Sequence, residues 1–456
     1  MSALVKTIID RYLSRTKRSK ANDAKAKGYL PGGDTRSSTY FFPYPSYMEK
    51  GEGFCLYDCD GNRYIDFLNN YTSLIHGHAY PPVIRAAGAQ LGKGTVYGSA
   101  TAIQFELAEI LCERLPSMDA LRFTNSGTEA TMMAMRAARA FTDKDVILKM
   151  DGGFHGTHDF VEVNIRPDPE PQDLPSAHLE GSGIPACVLN GMMVAPFNDL
   201  DAVERILKEH QDKIAAIIVE PMPHAGGMIP PKGGYLKGMR ELTDKYGALL
   251  IFDEIVTFRL SLGGLQMLED VEPDLTSLGK IIGGGFPVGA FGGRKEYMKR
   301  FDPAHPQTIG HSGTFNGNNV TMAAGVATLQ NFDQTTIDRI NKLGERLRRG
   351  FNQAFEAAGI KGQATGMGSL LQVHWRDGEI VSPRDAFLGM KSAAELPKLL
   401  HLELMNRGVF SAPRGAYNIS TPMTEKEVDQ ALEAFGATLE ILKPYATEET
   451  PHLIAD

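Results

Sequence analysis

Leu278-Gly279-Lys280-Ile281-Ile282-Gly283-Gly284-Gly285-Phe286-Pro287-Val288-Gly289 sets a single lysine between apolar runs, just ahead of a glycine-rich turn. Desolvation of such a lysine favours the neutral amine, the form that attacks an aldehyde. The competing reading is an ordinary surface lysine, which the apolar flanks disfavour. No other lysine is expected to have comparable flanks beside a glycine run. A dinucleotide-binding loop is the weaker alternative. The run departs from G-x-G-x-x-G, because Val288 follows Pro287.

Upstream of this stretch, short apolar runs at 121–124, 146–150, 214–219 and 248–252 alternate with helical segments. Buried parallel strands have this appearance, and the alternation implies βαβ units. Leu107, Ile110, Leu111 and Leu115 form one apolar stripe, so a helix is expected there. Residues 163–195 carry several prolines and glycines and read as a long surface excursion. A long amphipathic helix is expected from about Ile337, then short strands, then a helix over 425–442. Near the N-terminus, Leu4, Ile8, Tyr12 and Leu13 recur at helical spacing in a polar, basic stretch. That stretch lacks the apolar core of a signal peptide, Asp10 and Asp23 count against a transit peptide, and a surface helix is expected. Pro31-Gly32-Gly33 reads as a turn, and 53–67 as short strands around the turn 58–62.

Three further segments carry chemistry. Ser126-Gly127-Thr128 leaves a strand and opens a helix over 128–141. The unbonded N–H groups of a helix start favour a phosphate, although Ser126 could equally be a plain N-cap. Asp253 lies at the C-terminal end of a buried strand, where α/β sheets place their ligands. A carboxylate there could keep a pyridine nitrogen protonated, as pyridoxal 5′-phosphate (PLP) requires, with Ile255 against the ring. Two solvated acids at a strand end, Asp253 and Glu254, are the plainer alternative. Phe154, in the loop after Gly152-Gly153, could stack on a flat heterocycle. His155 and His158 have no acidic or cysteine partner at usable spacing, so no metal is expected.

The whole chain sets looser bounds. With 456 residues, 42% hydrophobic and 22% charged, it is long enough for a large domain with smaller ones. A net charge of −8 argues against a nucleic-acid partner. No apolar run is long enough to span a membrane. Cys55, Cys59, Cys112 and Cys187 suggest reduced thiols rather than a disulfide framework, and a cytoplasmic location is expected.

Ser126-Gly127-Thr128, Phe154-His155-Gly156, Glu220-Pro221, Asp253-Glu254 and Gly279-Lys280 occur in the order seen in class III aminotransferases of PLP fold type I, which this chain resembles from Pro31 to its last helix. The resemblance implies an α/β fold: a large domain with a mostly parallel seven-stranded sheet, plus a smaller α+β domain formed by N- and C-terminal segments. The corresponding division is 1–85 for the arm and small-domain segment, 86–330 for the PLP-binding domain, and 331–456 for the C-terminal small domain. It further implies that Lys280 is the catalytic residue and holds PLP as a Schiff base. Asp253 would meet the ring nitrogen, Phe154 would stack on the ring, and Ser126, Gly127 and Thr128 would hold the phosphate. His155, Glu220 and Ile255 would complete the cofactor site. Thr314, in Ser312-Gly313-Thr314-Phe315, would reach the phosphate of a neighbouring subunit, so a homodimer with shared active sites is implied.

Within that family two groups resemble the chain best. The stretch 274–285 looks like glutamate-1-semialdehyde 2,1-aminomutase. Three other places look like β-amino-acid aminotransferases of the β-phenylalanine type. One is Pro31-Gly32-Gly33-Asp34-Thr35-Arg36 with the aromatic residues Tyr40, Phe41, Phe42 and Tyr44 after it. Another is Thr257-Phe258-Arg259, without the glycine that the aminomutase has after its threonine. The third is Ser411-Ala412-Pro413-Arg414-Gly415. A guanidinium binds a carboxylate through two parallel hydrogen bonds. Arg36 and Arg414 could thus divide the carboxylates of two substrates, or be solvated surface residues. The aromatic residues, Phe42 among them, could line an aryl pocket or lie in the core. The leading expectation is ping-pong transfer of the amino group of a β-amino acid to an α-keto acid. The aminomutase is the alternative.

Overall fold

Runs of β-branched and leucine side chains too apolar for any surface build the central sheet of the structure, a computed structural model that describes residues 3–168, 170 and 173–455. Seven strands lie in the order Ala120–Thr124, Gly289–Gly293, Leu275–Gly279, Leu249–Asp253, Ile214–Val219, Val146–Met150 and Met192–Ala195. Every pairing is parallel except the two made by Gly289–Gly293. Ile214–Val219 is buried at all six positions, as a strand covered on both faces must be. Ile218, Ile251, Leu275 and Phe291 face Ala130, Met133 and Ala134 of the helix Gly127–Thr142. On the other face Ile217, Leu250 and Phe252 pack with side chains of the helices Leu200–His210 and Tyr235–Tyr246. The mostly parallel α/β sheet expected from the sequence is therefore present.

Two strands depart from expectation. Residues 163–195 do not form a surface excursion throughout. Val163 and Asn164 are buried, and Met192–Ala195 closes the sheet as its edge, parallel to Val146–Met150. The glycine-rich stretch after Lys280 ends in a strand rather than continuing as a turn. A Cβ on Gly289 would stand 2.1 Å from the Ser126 carbonyl oxygen, and one on Gly293 would stand 2.2 Å from that of Asp274. Only glycine lets the backbone pass there.

The chain divides into two compact units. The larger holds Pro81–Asp338 and Glu379–Leu388. The smaller holds the segment up to Tyr80, Arg339–Gly378, and the chain from Gly389 onward. In the smaller unit Met48–Glu52, Cys55–Asp58, Arg63–Asp66 and Val409–Phe410 make one sheet. Gln363–Met367, Leu370–His374 and Ala416–Asn418 make another. The N-terminal helix Ala3–Arg15 buries Ile8, Ile9 and Tyr12, and the Tyr12 hydroxyl donates to the Tyr44 carbonyl at 2.9 Å. The last helix, Glu425–Glu449, is opened by a capping box of Thr424 and Glu427. All four cysteines are free, and no described helix is long and apolar enough to cross a membrane.

Candidate active site

The helix Gly127–Thr142 begins where Ser126 accepts from the Glu129 N–H at 3.2 Å. Ser126 is thus an N-cap, and capping occupies only one of the four N–H groups that a helix start leaves without an intrahelical partner. Two glycines let neighbours close on this helix start. A Cβ on Gly127 would stand 2.6 Å from Ile255 Cδ1. Gly156, at φ +101°, passes so near Thr128 that a Cβ would lie 2.6 Å from the Thr128 Cα. The Thr131 hydroxyl donates to the His155 carbonyl at 2.6 Å, and the Thr157 N–H to the Thr128 hydroxyl at 3.3 Å. The Phe154-His155-Gly156 loop is thereby fixed over the first turn of the helix.

Asp253 ends the buried strand Leu249–Asp253, and its carboxylate stands 2.8 Å from His155 Nδ1. Both side chains are buried, and His155 Nε2 meets no hydrogen-bond partner among the described residues. The other Asp253 oxygen accepts from the Ile255 N–H at 3.2 Å. Gly279 also lies against Ile255, where a Cβ would be 3.4 Å from Ile255 Cγ2. Lys280 follows at φ +51°, a left-handed backbone uncommon for a residue with a side chain, and is half-buried. Phe154, in the same loop as His155, is 38% exposed.

Glu220 is buried and accepts from the N–H groups of Phe154 at 2.8 Å and His224 at 3.0 Å. Burial pushes its carboxyl pKa up, while His155 opposes that shift. Its observed work is to hold the Phe154 loop. Thr314 is exposed on its unit, in a loop tied to the helix start by Asn125 Nδ2 donating to Asn316 Oδ1 at 2.8 Å. The structure therefore brings Ser126, Gly127, Thr128, Phe154, His155, Glu220, Asp253 and Ile255 together, with Lys280 adjoining Gly279, and leaves Thr314 outward.

Sequence reading overlooked Lys149. It stands between Leu148 and Met150, ahead of Gly152-Gly153, so it shares the flanks thought peculiar to Lys280. It is wholly buried, and its ammonium donates to the carbonyls of Gly153 at 2.9 Å, Asn164 at 3.5 Å and Val163. Burial lowers its pKa to about 8.

In the smaller unit both arginines reach one stretch of chain. Arg36 donates to Asn70 Oδ1 at 2.8 Å, and the Arg414 guanidinium stands 5.9 Å from the centre of the Tyr71 ring. The Tyr71 hydroxyl donates to the Ser38 carbonyl. Asn69, Asn70, Tyr71 and Thr72 all have positive φ, from 45° to 75°. Such a run of residues with side chains is strained. The aromatic group splits: Phe41 and Tyr44 are buried, whereas Tyr40 and Phe42 are exposed, and Phe42 does not line the cavity that Arg36 and Phe41 share.

Residues 40–438 match the aminotransferase class-III family. Glutamate-1-semialdehyde 2,1-aminomutase of Ignicoccus hospitalis is 42% identical over 91% of this chain and 97% of its own length. Seven further curated relatives, 37–40% identical, carry that aminomutase name. Among solved structures, an ω-transaminase from Sphaerobacter thermophilus superposes with a TM-score of 0.89 at 42% identity, covering 92% of this chain and 97% of that one. A β-phenylalanine aminotransferase from Variovorax paradoxus superposes with a TM-score of 0.87 at 34% identity, covering 100% of both chains.

Proposed function

The chain belongs to the class III aminotransferases, which are PLP-dependent, and from that premise we propose that it moves an amino group with PLP held by Lys280, Asp253, Phe154 and the start of the helix Gly127–Thr142. The residues present fit that cofactor. A sixteen-residue helix presents its N-terminus, with the Ser126 and Thr128 hydroxyls, to a phosphate. A buried acid ends a strand of the sheet, and the loop whose His155 bonds it carries the part-exposed Phe154 ring. When bound, PLP supplies an aldehyde that takes up an amine and a ring that accepts electrons. Asp253 holds the proton on the ring nitrogen, and His155, bonded to it, fixes the carboxylate's orientation. Glu220 sets the Phe154 backbone by accepting from its N–H, and the phenyl ring would stack on the cofactor. Lys280 would hold the aldehyde, and its amine would carry the proton to and from the substrate carbon. The observation that carries this reading is the buried Asp253–His155 contact of 2.8 Å, on the same Ile255 that touches Gly127 and Gly279.

Two finer reactions share this machinery. Transfer within one molecule, of the glutamate-1-semialdehyde 2,1-aminomutase kind, has the greater support, because eight curated relatives bear that name. The weight thus moves to the reaction that sequence reading held as its alternative. Transfer from a β-amino acid to an α-keto acid is favoured by one specific observation: Arg36 and Arg414 meet the same strained stretch, at Asn70 and Tyr71. Two guanidinium groups suit an enzyme that takes two carboxylates in turn.

Parallel assays separate the two. One holds glutamate-1-semialdehyde alone; the other holds a β-aryl-β-amino acid with 2-oxoglutarate. Turnover in the first only supports the aminomutase. Turnover in the second only supports the aminotransferase, and Arg414→Ala should then slow the keto-acid half-reaction about tenfold or more. Failure of both, with no visible cofactor absorbance, would reject the PLP reading itself.

A further inference from the structure

Two glycines, Gly152 and Gly153, precede Phe154. Neither has a side chain to bias its backbone, so the peptide plane between Gly153 and Phe154 must be set by its partners. Both ends of that peptide are gripped by ionisable side chains. Its carbonyl, on Gly153, accepts from the Lys149 ammonium at 2.9 Å. Its N–H, on Phe154, donates to Glu220 Oε2 at 2.8 Å. Lys149 and Glu220 are both buried. The peptide dipole thus lies with a cation at its oxygen and a carboxyl at its N–H. Turning the plane over would break both bonds and set the carbonyl oxygen against a carboxyl oxygen. The chain is held again just beyond Phe154, where His155 bonds Asp253 at 2.8 Å and the His155 carbonyl accepts from Thr131 at 2.6 Å. These two anchorages fix the direction in which the Phe154 side chain leaves the backbone.

Lys149 is the less expected of the two grips. An ammonium has three donors, and the acceptors here are three backbone carbonyls, those of Gly153, Val163 and Asn164. None of the three is charged, and an apolar side chain of similar length would avoid the cost of burying an ammonium among them. Burial lowers the lysine to a pKa of about 8, so at neutral pH all three donors are still present.

We propose that Lys149 is a positioning residue for the reaction: its ammonium fixes the Gly153–Phe154 peptide and so aims the Phe154 ring at the cofactor. The proposal rests on the reading above, in which that ring stacks on PLP, and adds to it a wholly buried side chain that acts at one remove.

The test is a double-variant cycle on the holoenzyme, comparing wild type, Lys149→Met, Phe154→Leu and the two combined. Two signals are read: the visible circular dichroism per bound cofactor, and the rate at which cofactor leaves on dilution. An aromatic stack is worth about two- to tenfold in retention. Phe154→Leu should speed the loss by about that factor and weaken the dichroism. Lys149→Met should do the same, and on top of Phe154→Leu it should add nothing. A lysine that only stabilises the fold would act equally in both backgrounds. Equal effects in the two backgrounds, or wild-type signals from Lys149→Met, would each overturn the proposal. If Lys149→Met does not fold, the crystal structure of the wild-type holoenzyme decides. A Phe154 ring stacked on the cofactor, with the Gly153 oxygen within about 3.2 Å of Lys149 Nζ, supports the proposal, and any other arrangement overturns it. A wild-type protein without cofactor absorbance would reject the PLP reading, and the positioning role with it. A coloured wild type that responds to Phe154→Leu but not to Lys149→Met would reject the positioning role alone.

Discussion

Asp253 and Glu254 are neighbours in the chain and do unlike work. Asp253 meets His155, whereas Glu254 turns away and accepts from the N–H groups of Leu265 at 3.0 Å and Gln266 at 2.8 Å and from the Thr257 hydroxyl. Glu254 is thus fixed in the core, with burial pushing its carboxyl pKa up. Asp253→Asn should therefore leave the fold intact, since an amide can still bond His155. It should cut kcat roughly a hundred- to ten-thousandfold, the range that proton-handling groups contribute, because an amide cannot keep a ring nitrogen protonated. Circular dichroism and cofactor content equal to wild type, alongside that loss, are the expected result. A near-normal rate would remove Asp253 from the mechanism. Asp253 was legible in the sequence, since an acid ending an apolar run points to a ligand edge. Its contact with His155, 98 positions away, was not, because local spacing cannot say which loop folds over a strand end.

Elements were legible in proportion to their apolar content. Val146–Met150 and Ile214–Val219 coincide with their apolar runs, because strands buried on both faces have little else. Gly289–Gly293 hid among glycines that the close approach of Ser126 and Asp274 demands, and Met192–Ala195 is only four residues long. Lys149 hid within a strand for the opposite reason: a charge in an apolar run looks like an error until its carbonyl partners are seen. Its ammonium joins Gly153, just before Phe154, to Val163 and Asn164 at the other end of the loop. Asp151, Glu220, Glu180 and Glu162 pull its pKa upward, yet burial prevails and lowers it to about 8 from 10.5. The sign follows directly. Below pH 8 the folded state bears the full cost of a buried ammonium. Between about pH 8 and 10.5 the unfolded chain binds the proton and the folded chain does not, so this lysine's contribution to stability rises with pH. The unfolding free energy of wild type, measured relative to Lys149→Met in urea at pH 7.5, 9 and 10.5, should increase by up to about 3 kcal/mol. A difference that stays flat across that window would show Lys149 titrating as an ordinary lysine.

On the scale of the molecule, pairing far along the chain decides what joins what. Val409–Phe410 pairs in parallel with Ile65 and Asp66, so N- and C-terminal segments share one unit, which no local pattern announces. The larger unit also leaves several large apolar side chains exposed. Ile84, Leu91 and Phe105 are each more than half exposed, as is Phe315 beside the exposed Thr314. A homodimer in which each Thr314 reaches the phosphate of the other subunit makes a prediction that single variants cannot. Lys280→Ala removes the anchor of a subunit's own site. Thr314→Asp sets a negative charge against the partner's phosphate, and like charges repel there. Each variant alone should be inactive. In a hybrid of the two, one site has lost both groups, but the other keeps its own lysine and receives an intact threonine. Unfolding the variants together and refolding them at equal concentration gives hybrids as half of all dimers, so activity should return to about a quarter of wild type. If each site used its own Thr314, both sites of the hybrid would stay defective and the mixture would remain inactive. Recovery therefore reports the exchange of this residue between subunits, independently of which substrate is assayed.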